Sequence, residues 1–367
     1  MANYTLDMEK YRALARQVAA ESCVLLKNDD QTLPIGKGSK VSVFGRIALH
    51  YYKSGTGSGG LVNVKHAIGI LDALKDSEDI LLNEKLMDIY DAWVKEHPFD
   101  KGAGWGQEPW SQEEMPLTEE IVAEAAKESE TAVVVIGRTA GEDQDAKAIA
   151  GSYLLTEAEE DMLDKVCRAF RKVAVLLNVG NIIDMKWVGK YNPSAVMYVW
   201  QGGQEGGSGV LDVLSGKVSP CGKLSDTIAM DIEDYPSTKN FGDAKENFYQ
   251  EDIYVGYRYF ETFAKDKVLY PFGFGMSYTD FAVRMTAFTE EEEQICAEVS
   301  VKNTGICAGK EVVQLYVAAP QGALGKPARE LKAYGKTEEL APGEECTLKI
   351  SVPKAAMASY DDSGCTG

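Results

Sequence analysis

Residues 132–149 read AVVVIGRTAGEDQDAKAI, and they place a hydrophobic run directly before an acidic one. The run Val133 to Ile136 consists of four consecutive β-formers and is closed by a glycine. A short apolar segment of this kind predicts a buried parallel strand. Ligand sites in open α/β sheets lie beyond the carboxyl ends of such strands. The first candidates for chemistry are therefore the carboxylates that follow the strand, Glu142, Asp143 and Asp145.

The same pattern extends to both sides of this stretch. Further strands are predicted at Val41–Phe44, Val173–Leu177 and Ala195–Val199, with helical segments between them. Strands that alternate with helices indicate an α/β fold, with a mostly parallel sheet and helices on both faces. An amphipathic helix is predicted over residues 5–27, and a capping box at Thr156 predicts the start of a later helix.

A change in composition near residue 231 divides the chain. Residues 1–230 carry the α/β pattern, whereas residues 231–280, rich in Tyr, Phe, Pro and Gly, are interpreted as a linker and packing segment. Residues 281–367 alternate in hydrophobicity and predict a truncated β-sandwich with fewer strands than an immunoglobulin-like domain. Its strands are expected at Phe281–Ala287, Gln294–Asn303, Val312–Ala319, Leu331–Thr337 and Cys346–Ile350.

Composition limits the partners and the compartment. The 367 residues carry a formal net charge of -19, which disfavours nucleic acid and anionic membranes and is compatible with neutral sugars. No apolar run is long enough to cross a bilayer. Seven cysteines without paired spacing and a polar N-terminus favour free thiols in the cytoplasm, and a secreted protein without its leader is the alternative. No metal or cofactor is expected, because the three histidines are scattered.

Two glycine-rich stretches follow predicted strands. Residues 51–60 contain Tyr51, Tyr52 and Lys53 before four glycines, but their spacing fits neither common phosphate-binding motif. We interpret them as a loop that shapes a substrate site, with the tyrosines as a sugar-stacking face; a flexible loop at the sheet edge is the alternative. Residues 200–209, WQGGQEGGSG, can present a helix N-terminus to an anion, although tight backbone packing is the preferred interpretation.

Glu142 is a candidate general acid. Such a residue needs a pKa raised toward neutrality, and like-charge repulsion from Asp143 and Asp145 acts in that direction. A solvated acidic loop is the alternative, and from these residues alone it is the commoner outcome in so acidic a chain.

Several long motifs in the chain carry a family resemblance. The stretch WQGGQEGGSGVLDVLSGKVSPCGKLSDTIA at 200–229 resembles a signature of glycoside hydrolase family 3, with Gly209 and Ser225 as small departures. Residues 252–262 and 271–279 resemble two further signatures of that family. Residues 303–317, with LAPGE at 340–344, resemble its fibronectin type III-like domain.

The resemblance implies a domain arrangement and a division of chemistry. Family members combine a (β/α)8 barrel, which supplies an Asp nucleophile, with an α/β-sandwich domain, which supplies a Glu acid/base. This chain resembles the first part of an inverted-order bacterial β-glucosidase, beginning with the α/β sandwich and lacking the barrel. By this resemblance Glu142 is the acid/base, through Gly141-Glu142 and Asp145. Asp143 is its nearest rival, because Ala146 stands where the family often has Arg.

The resemblance also implies a substrate site and an activity. The residues expected to line the site beside Glu142 are Lys53, Ser54, Thr56, Arg138 and Asp145. Joined to the missing barrel, the chain is expected to hydrolyse terminal β-glucosides or related oligosaccharides by a retaining mechanism, and to be inactive alone. The alternative is a non-catalytic carbohydrate-binding or interaction module, and a homo-oligomer remains open.

Overall fold

The central strand of the fold is Thr131–Arg138 (β4), as its apolar run predicts. The structure, a computed structural model, describes residues 5–57, 60, 64–142, 145–242 and 245–361. Every residue of β4 is buried, so both faces of the strand are covered. Its neighbours, Ser39–Phe44 (β2) and Lys172–Val179 (β5), run parallel to it.

Three shorter strands complete the sheet in the described part of the chain: Val24–Asn28 (β1), Ile80–Leu82 (β3) and Ala195–Tyr198 (β6). The order of the six strands is β1-β6-β5-β4-β2-β3. Only β1 is antiparallel to its neighbour, β6, and the other pairs are parallel. The four predicted strands are therefore confirmed as β2, β4, β5 and β6, and so is the mostly parallel sheet.

The prediction of one helix over residues 5–27 is wrong in its last five residues, 23–27. The helix is Met8–Ser22 (α1), and the next residues form the edge strand β1, in which Val24 pairs with Tyr198. The sequence signal was ambiguous because Val24 to Leu26 are consecutive apolar residues. All three are buried, as in a strand covered on both faces, whereas Leu14 and Val18 of the helix are exposed.

The helices of this part of the chain form two packed groups on the sheet. One group contains α1, Ile70–Lys75 (α2) and Gly206–Leu214 (α7), and the other contains Glu119–Glu128 (α4), Glu157–Ala169 (α5) and Lys186–Tyr191 (α6). Glu84–Glu96 (α3) contacts β2. The predicted capping box of α5 is confirmed: Thr156 Oγ1 accepts the Glu159 N–H at 3.2 Å, and Glu159 Oε2 accepts the Thr156 N–H at 2.8 Å.

The chain divides into two compact units, residues 1–222 and 223–367. The second unit begins before residue 231, where the sequence analysis placed the change, because Ile228–Ala229 (β7) pairs with Val268–Tyr270 (β8). With Tyr257–Phe263 (α8), these strands enclose a small core of Ala229, Phe260 and Ala264. The segment interpreted as a linker and packing segment therefore includes part of a small core.

The rest of the second unit consists of small antiparallel sheets. Its strands are Phe281–Glu290 (β9), Gln294–Asn303 (β10), Val312–Val317 (β11), Glu330–Lys336 (β12) and Glu345–Pro353 (β13). One sheet has the order β13-β10-β9, and β11 pairs with β12. All five predicted strands are confirmed. The described residues of the chain contain no (β/α)8 barrel, and none of their helices is both long and apolar enough to cross a bilayer.

Candidate active site

Glu142 lies at the carboxyl end of the central strand. The loop that joins β4 to α5, residues 139–156, leaves the sheet after Arg138 and carries Glu142 four residues later. The side chain of Glu142 is exposed in the described part of this chain. Asp145 is also exposed, and the rival Asp143 lies outside the described residues. The carboxyl end of the central strand thus presents an exposed carboxylate.

The glycine-rich segment after β2 packs directly against this loop. The Thr56 N–H donates to the carbonyl of Ala140 at 2.6 Å, and Thr56 forms a parallel bridge with Gly141. A Cβ atom at Gly57 would lie 2.7 Å from the Cβ atom of Glu142. The glycines therefore allow two loops from neighbouring parallel strands to approach each other, which brings the predicted Thr56 beside Glu142.

The two tyrosines before these glycines face inward, contrary to the sugar-stacking role predicted for them. The Tyr51 hydroxyl accepts the Gly202 N–H at 2.8 Å. The Tyr52 side chain is buried, and its backbone N–H donates to Asn178 Oδ1 at 2.8 Å. Burial raises the pKa of both phenols to about 12. The tyrosines thus join the β2 loop to the ends of β5 and β6.

Lys53 and Ser54 are only partly buried, and they leave polar groups at this edge. Lys53 Nζ lies 3.5 Å from Ser54 Oγ. Glu108 lies in the irregular segment between α3 and α4. Burial and the charge of Asp100 raise the pKa of Glu108, and the charge of Lys53 lowers it. Sequence reasoning missed Glu108, although its WGQEPW context, aromatic and irregular, was the available signal.

Arg138 does not line the site with its side chain. The residue is 1% exposed, and its guanidinium forms a bidentate ion pair with Glu159, with both N–O distances at 2.6 Å. The sequence pattern could show that Arg138 ends a strand, but it could not show which way the side chain turns. The role expected for Arg138 as a substrate contact is thus replaced by an internal one.

The irregular segment 97–116 forms a second wall beside β4. The Thr139 N–H donates to the carbonyl of Trp110 at 2.8 Å. The buried carboxylate of Glu114 accepts the Arg46 N–H, at 3.1 and 2.9 Å, and the Met115 N–H at 2.8 Å. Burial raises the pKa of Glu114 to about 7. Glu114 thus fixes this segment to the end of β2.

The second glycine-rich stretch has its helix N-terminus already occupied. Glu205, directly before α7, is buried and pairs with Arg12 at 3.0 Å and with His66 at 2.9 Å. Ser208 Oγ donates to the same carboxylate at 3.3 Å. An internal carboxylate at this terminus favours the packing interpretation over anion binding. Among the described residues, no group of three or more His, Cys, Asp and Glu side chains is arranged to hold a metal ion.

Comparison with known proteins identifies the family. The sequence profile of the glycosyl hydrolase family 3 C-terminal domain matches residues 23–278, and that of the fibronectin type III-like domain matches residues 311–365. A β-glucosidase of Ruminococcus albus is 54% identical over 99% of this chain, which covers 38% of that relative.

Solved structures agree with these matches. A β-glucosidase from Paenibacillus barengoltzii has 53% identity and a TM-score of 0.95, with 99% of this chain and 40% of that one covered. β-glucosidase 3B from Thermotoga neapolitana has 36% identity and a TM-score of 0.89, with 97% and 50% covered. These matches assign the chain to the family 3 C-terminal domain and the fibronectin type III-like domain. The chain belongs to glycoside hydrolase family 3, and it spans half or less of the length of these relatives.

Proposed function

We propose that this chain is the acid/base-bearing part of a retaining family 3 β-glycosidase, in which Glu142 is the acid/base and a (β/α)8 barrel supplies the nucleophile. The observation that carries the proposal is the exposed carboxylate of Glu142 at the carboxyl end of β4, in a chain of this family. A carboxylate in that position can reach a sugar that is held by another domain.

The chemistry requires two carboxyl groups. In retaining glycosidases they lie about 5–5.5 Å apart; one attacks the anomeric carbon and the other protonates the departing oxygen, then deprotonates the water of the second step. Glu142 suits the second task because its loop projects beyond the sheet and is held by close backbone contacts with Thr56. Closure of a barrel over the loop would exclude water from the reacting groups.

Three of the remaining predicted residues supply polar groups around the sugar. Lys53 and Ser54 offer donors at the same edge, and Asp145 offers an exposed acceptor. Thr56 contributes through its backbone rather than its buried side chain. We propose terminal β-glucosides as substrates because the relatives reported above are named β-glucosidases.

The test is a Glu142→Gln variant of a protein in which this chain is joined to a family 3 barrel. General acid–base catalysis contributes about 10²–10⁴-fold to the rate. We therefore expect the variant's hydrolysis rate to fall by that factor on alkyl glucosides and by a smaller factor on dinitrophenyl glucoside. Azide should restore turnover of the activated substrate and yield the β-glucosyl azide. Full activity of Glu142→Gln on alkyl glucosides would contradict the proposal.

A matched control removes a carboxylate from the other end of the same strand. Glu130 directly precedes β4, is exposed and pairs with Arg171 at 3.3 Å. Glu130→Gln should leave the activity on both substrates and the effect of azide unchanged. The alternative, a carbohydrate-binding module, predicts that Glu142→Gln weakens binding of glucosides to the chain alone and leaves leaving-group dependence unaffected.

A further inference from the structure

We propose that Arg138 is a positioning residue for Glu142, acting through its buried ion pair with Glu159. The inference rests on the proposed function of Glu142. It assigns Arg138 to the stem of the β4–α5 loop, where it fixes the direction in which the loop leaves the sheet. The residue contacts no substrate in this role.

The guanidinium is saturated by acceptors at the two ends of the loop. Nη1 donates to the Gly137 carbonyl at 2.7 Å and to Glu159 Oε1 at 2.6 Å. Nη2 donates to the Leu154 carbonyl at 3.2 Å and to Glu159 Oε2 at 2.6 Å, and Nε donates to the Ser152 carbonyl at 3.0 Å. A guanidinium has five N–H donors, and each has one acceptor here. One side chain thus joins the outgoing strand to the returning segment.

Glu159 extends the same connection into the next helix. Its Oε2 atom also accepts the Thr156 N–H at 2.8 Å, so one carboxylate both caps α5 and holds Arg138. Glu159 is 5% exposed, and the pair is therefore shielded from solvent. The start of α5 and the end of β4 are consequently fixed relative to each other at the base of the loop.

The rest of the loop stem adds backbone contacts to this arrangement. The Lys147 N–H donates to Ser152 Oγ at 2.9 Å, and the Tyr153 N–H donates to the Lys147 carbonyl at 3.1 Å. These bonds organise the returning segment, but they do not connect it to β4. Arg138 makes that connection, four residues before Glu142. A change in the stem is therefore transmitted over a short length of chain to the carboxylate.

Lysine is the informative substitution at this position. Its ammonium keeps the positive charge beside Glu159, but it is a point charge on a flexible stem and does not reproduce the planar fork. Arg138→Lys should therefore preserve charge neutrality while losing bonds to the Gly137, Ser152 and Leu154 carbonyls. Glu159→Gln is the complementary variant, since it keeps the size of the partner and removes its charge.

The experiment measures leaving-group dependence in the barrel-joined protein. A misplacement of about 1 Å can cost about 100-fold in rate, so Arg138→Lys and Glu159→Gln should each lose roughly 10- to 100-fold in kcat/KM on alkyl glucosides. The loss on dinitrophenyl glucoside, which needs little acid assistance, should stay within roughly 3-fold. Azide should accelerate turnover of the activated substrate by both variants. A purely structural role would instead lower the activity on both substrates by the same factor, in proportion to the folded fraction of the protein.

The control is Glu160→Gln, one residue further along α5. Glu160 pairs at the surface with Lys190 at 2.7 Å and is not part of the loop stem. It should behave as wild type with both substrates. In the 367-residue chain, hydrogen exchange at amides 147–155 should accelerate in Arg138→Lys and not in Glu160→Gln, which supplies a readout even if the joined protein is poorly folded.

The outcomes separate this inference from the proposed function. Suppose that Glu142→Gln loses more activity on alkyl glucosides than on dinitrophenyl glucoside, while Arg138→Lys loses the same factor in kcat/KM on both. The positioning role is then wrong, and the role of Glu142 stands. If Glu142→Gln shows no such signature, the proposed function fails, and the positioning role fails with it. Unchanged hydrogen exchange at amides 147–155 in Arg138→Lys would also overturn the inference.

Discussion

A Cβ atom at Gly57 would lie 2.7 Å from the Cβ atom of Glu142 and 3.1 Å from its Oε2. Gly57 also has a φ of +74°, in the left-handed region that side chains rarely adopt. The two loops thus meet at a point where a glycine is required for both conformation and space. The position of the candidate acid depends on that glycine.

Gly57→Ala should therefore displace Glu142 as well as strain the backbone. We expect a loss of about 1 kcal/mol in the free energy of unfolding from the positive φ alone. The displaced acid should add a loss of roughly 10-fold or more in kcat/KM on alkyl glucosides in the barrel-joined protein. Urea denaturation and steady-state kinetics measure the two effects.

Gly38→Ala is the matched control for that substitution. Gly38 has a φ of +79°, but no atom lies within 4 Å of a Cβ built there. Gly38→Ala should lower the free energy of unfolding in the same way and leave kcat/KM on alkyl glucosides unchanged. If Gly57→Ala and Gly38→Ala had the same kinetics, the close approach to Glu142 would have no functional consequence.

Tyr51 provides a test of whether the β2 loop contacts sugar through its tyrosines. Its hydroxyl accepts the Gly202 N–H at 2.8 Å, and such a hydrogen bond contributes about 0.5–1.5 kcal/mol to stability. Tyr51→Phe should reduce the free energy of unfolding by that order and leave KM for glucosides unchanged. Tyr249→Phe, at a position 93% exposed, should change neither. A raised KM with unchanged stability would restore the sugar-stacking interpretation.

Much of the fold could be predicted from sequence because its signals are local. The apolar run of β4 and the alternation of β9 to β13 are read from consecutive residues, and the capping box of α5 needs only Thr156 and Glu159. The strand β1 was missed because its apolar residues continue the pattern of the preceding helix. What makes them a strand is the pairing of Val24 with Tyr198, far away in sequence.

The candidate site was predictable in position but not in side-chain direction. The carboxyl end of a parallel strand locates the loop of Glu142, whatever the rest of the chain does. The direction of the Arg138 side chain depends on Glu159 and on two carbonyls of the returning loop, and the inward turn of Tyr51 depends on Gly202. Such contacts are tertiary, and no spacing in the sequence encodes them.

The buried cysteines should be inert in the folded chain. Cys23 is 0% exposed and Cys221 is 2% exposed, and burial raises the pKa of Cys23 to about 12. Because the thiolate is the reactive form, both residues should resist alkylation until the protein unfolds. Mass spectrometry after brief iodoacetamide treatment, with and without urea, measures this. Rapid labelling of Cys23 without urea would show that the contact between α1 and the sheet opens readily.

Glu114 gives the first unit a specific dependence on pH. Burial raises its pKa from 4.5 to about 7, and the Arg46 and Met115 N–H groups, which favour the ionised form, only partly oppose that effect. The folded state therefore binds this proton more tightly than the unfolded state. The stability contributed by protonation is complete below pH 4.5 and is lost as the pH rises through about 7.

The free energy of unfolding of wild type, relative to Glu114→Gln, should therefore fall between pH 5 and pH 8. At about 1.4 kcal/mol per pKa unit, the fall is on the order of 3 kcal/mol. Glutamine is neutral at every pH and retains an oxygen acceptor for the Arg46 and Met115 N–H groups, so its own profile lacks this contribution. Glu130→Gln, which removes an exposed carboxylate, should show the same change in the free energy of unfolding as wild type between pH 5 and pH 8. Urea unfolding of the three proteins at pH 5 and pH 8 makes the comparison, and parallel profiles for wild type and Glu114→Gln would show that Glu114 does not titrate in this range.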